Sequence, residues 1–451
     1  MAYLLVPLGV SATEAMVWIA VVDENPDSAQ IALESNLGQH ALNLQWESWI
    51  SQNGKHKINY QRVRLSGLQS RRAYSLRLRL SGEIRADAEF NTLPDHIPTI
   101  GEKPFTVLLG SCFCRREDEE GKVGNTYLHM PGGARPDVKI LCGDQVYLDD
   151  PWHEYLEHTH SIEELQNNFF INYLSTWTQT NGFEQFLKSG ANYFCPDDHE
   201  LWNNAPNRAT VIRDTWPIFD KRDDWHRKAI HLYQVFQSAS NSATFSVGNL
   251  SFFIADTRLS RDSDRTNFMK DEELDKVGTW INGLTGPGAL VVGQPIFRGK
   301  TSFLSGTFGD WTLSDFKQYG RLVQMLVSSK HSIVILTGDV HYGRVTKCTL
   351  SSGNKLVEVI SSPLSLVDPR AAGKWEQSPD FFPAFDIPNV VKAPVQTLEK
   401  EKFSPSYSHF LTLEFSAASD FQVIMALRVW PILHGGLPGP DFGKEVDKIF
   451  L

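Results

Sequence analysis

No window of this chain reaches the roughly 20 apolar residues that a membrane-spanning helix needs, and no repeat or low-complexity tract interrupts it. Cysteine is scarce. Cys112, Cys114, Cys142, Cys195 and Cys348 make an odd total in 451 residues, which argues against a disulfide framework and for a reducing compartment. An excess of positive charge is also missing: 43 Lys and Arg stand against 53 Asp and Glu. The net charge of -10 gives no long-range attraction for nucleic acid or an anionic membrane, so neither is expected as a stable partner. Met1 to Pro7 has neither a basic segment nor a long apolar core, and no twin-arginine leader is seen. A cytoplasmic location is the expectation, with export open if a leader was removed. A serine hydrolase would carry a Gly-x-Ser-x-Gly elbow, which this chain lacks.

What is present is length enough for two domains. Up to about Thr92 short strands with period-two alternation are expected: Ala15 to Val22, Gln30 to Glu34, Ile58 to Leu65, Ala73 to Leu80 and Ile84 to Asn91. Val63 to Leu68 followed by Tyr74 resembles fibronectin type III-like sandwiches, in which a Tyr near a late strand fixes a corner. Leu93 to Pro104, with three prolines and a Gly, reads as a linker. The expected division is therefore a sandwich over 1–97 and a second domain over 98–451.

From Phe105 onward compact apolar runs alternate with segments of helical spacing. Phe105 to Leu109, Val138 to Leu141, Tyr193 to Cys195, Phe252 to Ala255, Leu290 to Val292 and Ile333 to Leu336 read as buried strands. Ile162 to Leu187, Asp224 to Gln237, Asp271 to Leu284 and Ser314 to Ser328 read as helices, giving a layered α/β domain. Pro363 to Pro405 reads as loops and a candidate lid. The charged stretch Arg115 to Gly124 reads as a solvated loop, and His153, His158 and His160 as solvated surface.

Four short motifs each follow an apolar run: Gly110-Ser111-Cys112, Gly143-Asp144-Gln145-Val146-Tyr147, Asp197-Asp198-His199-Glu200 and Gly338-Asp339-Val340-His341. In an open α/β sheet, strands bring their carboxyl ends to a shared crevice, so ligands distant in sequence can meet there. Asp144 can bridge two cations, and Tyr147 three residues on can return its phenol to the same point. Phenolate is a hard anionic donor that trivalent iron holds deprotonated near neutral pH. Asp339 and His341, at i and i+2 of an extended segment, share a face. Taken singly each motif has an ordinary structural reading; together they point to a metal site.

On these residues the chain resembles the PhoD-like branch of the calcineurin-type metallophosphoesterases, alkaline phosphatase D, over roughly Phe105 to Pro431. Asn203-Asn204, Asp256-Thr257-Arg258, Val292-Gly293-Gln294 and Ser361-Ser362-Pro363 add lesser matches. The resemblance implies layered metallophosphoesterase sheets with flanking helices behind an N-terminal all-β sandwich. It implies Fe(III) on Cys112, Asp144, Tyr147 and His341, and a divalent ion, expected to be Ca(II), on Asp144, Asp198 and Asp339. Which of Asp197, Asp198, Asn203 and Asn204 coordinates stays open. The implied activity is hydrolysis of a small phosphate ester, mono- or diester, by a metal-activated hydroxide. His199 is the candidate proton donor or phosphate ligand, and Arg258 either a bidentate phosphate clamp or an ion-pair partner of Asp256. The alternative is a non-catalytic phosphoryl- or partner-binding module on the same scaffold. A thiol phosphatase would resemble others in placing Arg six residues after its Cys, where Asp118 and Glu120 stand; a zinc knuckle would want a second cysteine pair.

Overall fold

The computed structural model describes all residues except 1, 25, 27–30, 41, 43–44, 156–160, 210–211, 217–220, 302–308, 366–374, 399–402, 404–406, 420–421 and 436–437. His158 and His160 thus lie outside the described residues. Residues up to Asn91 build two four-stranded antiparallel sheets. One has the order Ala2–Val10, Glu14–Val22, Lys57–Ser66, Glu47–Ile50, and the other Gly38–His40, Ile31–Ser35, Ala73–Leu80, Glu83–Asn91. The period-two pattern dictates this. Along Ala73–Leu80, Tyr74, Leu76 and Leu78 are buried and the residues between them exposed, as a sheet with one wet face requires. Tyr74 also fixes a corner, because its hydroxyl accepts the Gln69 backbone N–H at 2.9 Å.

Two larger sheets follow. The first runs Ala191–Cys195, Val138–Cys142, Phe105–Gly110, His409–Ser419, Gln422–Pro431, Lys444–Phe450, parallel among its first three strands and antiparallel beyond. The second runs Ser242–Val247, Leu250–Ala255, Gly288–Val291, Ile333–Thr337, Lys355–Ile360, Arg344–Thr349, Ala393–Thr397, Phe381–Phe382. Its strands from Leu250 to Ile360 that neighbour in this order are parallel.

Alternation places these sheets face to face. Val107, Leu109 and Ile140 share a core with Phe252, Ile254, Val291, Val334 and Leu336 of the second sheet. Their neighbours Leu108, Leu141 and Phe194 point the other way, into a cluster with the helices Ile162–Trp177 and Lys221–Phe236. On the far side Leu290 and Ile335 pack against Asp271–Asn282 and Tyr319–Val327. Strands covered on both faces read as continuous apolar runs, which is why they stood out in the sequence.

The sandwich is welded to this body. Leu5, Val17 and Leu76 belong to the same cluster as Val107, and Tyr193 clasps Val10 through both its N–H (3.0 Å) and its carbonyl (3.1 Å). The helix expected over Ile162 to Leu187 is broken at Asn181, whose backbone is left-handed, into Ile162–Trp177 and Phe183–Lys188. Arg115 to Gly124 is not the solvated loop expected: Asp118 and Val123 are buried, and a helix spans Lys122–His129. Part of 363–405 joins the edge of the second sheet, where Phe382 is buried against Phe297 at 4.4 Å while Phe381 is exposed. Among the described residues no helix is long and apolar enough to cross a membrane.

Candidate metal centre

The carboxyl ends of the parallel strands meet at one place, and glycine makes the approach possible. A Cβ on Gly338 would collide with Ser111 Oγ and stand 2.8 Å from the Cys142 carbonyl. One on Gly143, whose φ is +93°, would collide with the Asp197 Cβ. The strand ends therefore interlock, glycine backbone lying against the Ser111 side chain, the Cys142 carbonyl and the Asp197 Cβ.

Strain marks the same residues. Cys112 (φ 58°), Asp144 (57°), Asp339 (70°) and His341 (57°) all adopt left-handed backbone, at a cost of about 1–3 kcal/mol each for a non-glycine residue. The surroundings hold them there. Cys112 N–H donates to Gly143 O (3.1 Å) and its carbonyl accepts Ser365 N–H (3.1 Å), while His341 N–H donates to Ser362 Oγ (3.0 Å). Glu200, fully buried, accepts the backbone N–H groups of Asp144 (2.9 Å), Gln145 (2.7 Å) and Asp197 (2.9 Å), tying two ligand-bearing strand ends to one carboxylate.

What these devices gather is a dense set of donors. Ligand atoms of Asp144, Asp198 and His199 lie within 4.8 Å of one another, as do those of Asp197, Asp198 and Asp339. Cys112 Sγ is 3.3 Å from Asp144 Oδ2. The Tyr147 hydroxyl and Asp198 Oδ1 are buried without any hydrogen-bond partner among the described residues. Ser362 links the remaining ligand to the group, its Oγ lying 3.2 Å from Cys112 Sγ and accepting the His341 N–H.

Without cations this cluster is electrostatically unfavourable. Burial, then the charge of Asp198, raises the Asp144 carboxyl well above its usual range; burial, then Asp197 and Asp310, does the same to Asp339. Burial followed by Asp144 and Asp339 raises the Cys112 thiol, and burial followed by Cys112 and Asp144 raises the Tyr147 phenol. Burial, then His199, pushes His341 down to about 4, leaving it neutral as a metal ligand must be. Cations among these groups would remove the repulsion and partner both orphaned oxygens, so the residues present fit metal ions.

His199 stands at the rim. Its Nδ1 is 2.7 Å from Asp149 Oδ1, its ring lies 4.0 Å from that of Tyr147, and Asp149 Oδ2 in turn accepts Asn203 N–H at 2.7 Å. Burial pulls the imidazolium down, but Asp149 and Asp198 outweigh it and hold His199 well above its ordinary value. Asp149 was not singled out in the sequence; an acid doublet two residues beyond Tyr147 was its only signal. Asp198 Oδ2 accepts Asn204 N–H at 2.5 Å, so Asn204 contributes its backbone here, in left-handed conformation.

Arg258 is engaged differently from the expected phosphate clamp. Its side chain is fully buried; Nε donates to Asp197, Nη1 to Ala205 O (2.7 Å) and Asp310 Oδ1 (2.8 Å), and Nη2 to Asp310 Oδ2 (2.9 Å). Asp256, the other partner considered, accepts the backbone N–H groups of Arg258 and Leu259 instead, both at 2.9 Å. With its fork filled by Asp310, the guanidinium braces Asp197 from behind. Gln294 completes the brace, donating to Asp310 and to Asp339 Oδ2.

No protein-family model matches this chain, and no curated protein matches it. Solved structures do. One described as "Structure of PhoD" is similar in fold with a TM-score of 0.60, over 95% of this chain and 90% of that one, at 15% sequence identity. The fold is PhoD-like.

Proposed function

We propose that this chain is a metal-dependent hydrolase of phosphate esters, a phosphomonoesterase and/or phosphodiesterase of the PhoD-like alkaline phosphatase kind. One observation carries the reading: donors from separate strand ends converge in left-handed backbone and leave Tyr147 and Asp198 with buried oxygens that lack partners among the described residues. Cys112, Asp144, Tyr147 and His341 would hold Fe(III), and Asp144, Asp198 and Asp339 a divalent ion such as Ca(II), which favours an all-oxygen set. When bound, such ions supply a nucleophilic hydroxide near neutral pH and neutralise phosphoryl charge.

The chain's own groups do the rest. His199, with Nδ1 fixed by Asp149, presents Nε2 to the leaving oxygen and gives it a proton as the ester bond breaks. Tyr147, tilted against the ring at 4.0 Å, limits its rotation. Arg258 and Asp310 fix Asp197, and Glu200 fixes the backbones of Asp144 and Asp197, so the ligand set is preorganised.

The test measures metal content by plasma spectrometry alongside turnover of p-nitrophenyl phosphate and bis-p-nitrophenyl phosphate, before and after chelation. Expected are iron plus a divalent ion, activity lost on chelation and regained on reconstitution, and a visible absorption band that disappears in Tyr147→Phe. Protein with neither metal, in which reconstitution restores no turnover, overturns the reading; metal without turnover leaves a binding module.

A further inference from the structure

Among the described residues three arginines approach the acid cluster, and two are fully employed by the protein. Arg258 is bound as described above. Arg261, also buried, donates to Thr257 O (2.7 Å), Trp311 O (3.0 Å) and Gln294 Oε1 (2.6 Å). The third is different. The Arg298 side chain is 24% exposed and makes one side-chain bond, Nη2 to Glu376 Oε2 at 2.5 Å, with a carboxylate that is itself 55% exposed. Its Nε and Nη1 bond nothing among the described residues. Asp339 and the Tyr342 phenol both lie within its electrostatic reach.

Tyr342 supplies an independent sign of a missing partner. It follows His341 directly, is 1% exposed, and its hydroxyl is buried with no hydrogen-bond partner among the described residues. A buried hydroxyl in that condition is unfavourable unless something else reaches it. Both residues sit on a pinned scaffold. Arg344, buried, pairs with the buried Glu358 at 2.9 Å, donates to Phe297 O (3.2 Å) and Glu376 O (3.0 Å), and lies 5.9 Å from the Tyr342 ring centroid. Glu358 Oε1 accepts the Ile296 and Phe297 N–H groups at 2.6 and 2.8 Å. The loop that presents Arg298 and the backbone of its Glu376 partner are thus held to the same ion pair, which places the guanidinium rather than leaving it to wander.

We infer that Arg298 and Tyr342 form the subsite for a non-bridging oxygen of the phosphoryl group, an inference that rests on the phosphoesterase reading. A partly exposed Arg–Glu pair is weak and replaceable, whereas a phosphoryl oxygen offers the guanidinium a charge-assisted acceptor and the phenol its missing one. Glu376 holds the guanidinium in place until substrate takes it over. The role expected of Arg258 passes to the arginine whose Nε and Nη1 bond nothing among the described residues.

The experiment compares metal-loaded parent, Arg298→Ala, Tyr342→Phe and Glu376→Gln for metal content, for KM and kcat with p-nitrophenyl phosphate, and for binding of inorganic phosphate by calorimetry. Expected for Arg298→Ala is KM and the phosphate dissociation constant both raised about ten-fold, with metal content unchanged. Tyr342→Phe is expected to raise both by a smaller factor, and Glu376→Gln, which frees the guanidinium, to lower both. Parent-like KM and phosphate binding in Arg298→Ala and Tyr342→Phe overturns the subsite. If the parent hydrolyses nothing, the proposed function falls by itself; phosphate binding then still decides the subsite, weakened in Arg298→Ala upholding it and equal binding overturning it.

Discussion

Replacing Glu200 by Gln changes one atom of the side chain and is expected to loosen the whole centre. Oε2 accepts the Asp144 and Asp197 N–H groups, and Oε1 accepts Gln145 N–H and Gln237 Nε2. In its best orientation the amide oxygen takes over the first pair, and the new NH2 then faces the Gln145 N–H. Two bonds to a charged acceptor are lost, those of Gln145 N–H and Gln237 Nε2, and two others become bonds to a neutral one. At about 1.5–3 kcal/mol for each lost bond and about 1 kcal/mol for each weakened one, the sum is about 5–8 kcal/mol. Because the weakened bonds carry the backbones of Asp144 and Asp197, metal affinity is expected to fall about 10- to 100-fold, as for other groups that orient ligands. Urea unfolding of the two proteins side by side reads the stability loss, and a metal titration reads the affinity. Unchanged urea midpoint and unchanged affinity in Glu200→Gln would refute the claim that this carboxylate ties the strand ends together.

Two further outcomes follow from the packing and the charges. Gly338→Ala is expected to lose about 1–3 kcal/mol by overpacking against Ser111 and Cys142, with metal content reduced, while Gly132→Ala, which meets nothing within 4 Å, is expected to behave as the parent; equal thermal stability of the two variants would show that the strand ends have room to spare. Asp118, six residues beyond Cys112, is pushed by burial from 3.8 up to about 7, so the folded state holds its proton more tightly than the unfolded chain. Stability contributed at low pH therefore drains as pH rises from about 4 to about 7, and Asp118→Asn is expected to remove that part of the slope; a pH–stability curve parallel to the parent's would contradict it.

The buried strands and the four motifs were legible because each motif is a polar group closing an apolar run, after a Gly in three of the four, a pattern local to six or seven residues. Tyr74 announced its corner in the same local way. Local pattern could not tell that Arg258 would find Asp310, more than fifty residues on in a segment without periodicity, rather than Asp256 two residues before it. Nor could it tell that Cys112, Asp144, Asp339 and His341 would be left-handed, since nothing but tertiary contact forces non-glycine residues there. The helix Lys122–His129 was hidden by Gly124, Asn125 and Thr126, weak helix formers that are tolerated because Gly124 lies against the Gly182 carbonyl. Lys444–Phe450 escaped notice for a related reason: its alternation is carried by charged residues on an edge strand.

The strand Phe105–Gly110 is flanked on one side by His409–Ser419, and the Cys112 thiol leans on Ser362, 250 residues later in the chain. During translation at about 5–20 residues per second, that thiol emerges roughly 10–50 s before the serine that will meet it. Throughout that interval one flank of the first sheet is bare and the nascent cysteine is open to stray ions and oxidants. A cell making this protein must shelter the half-built sheet until the last hundred residues arrive.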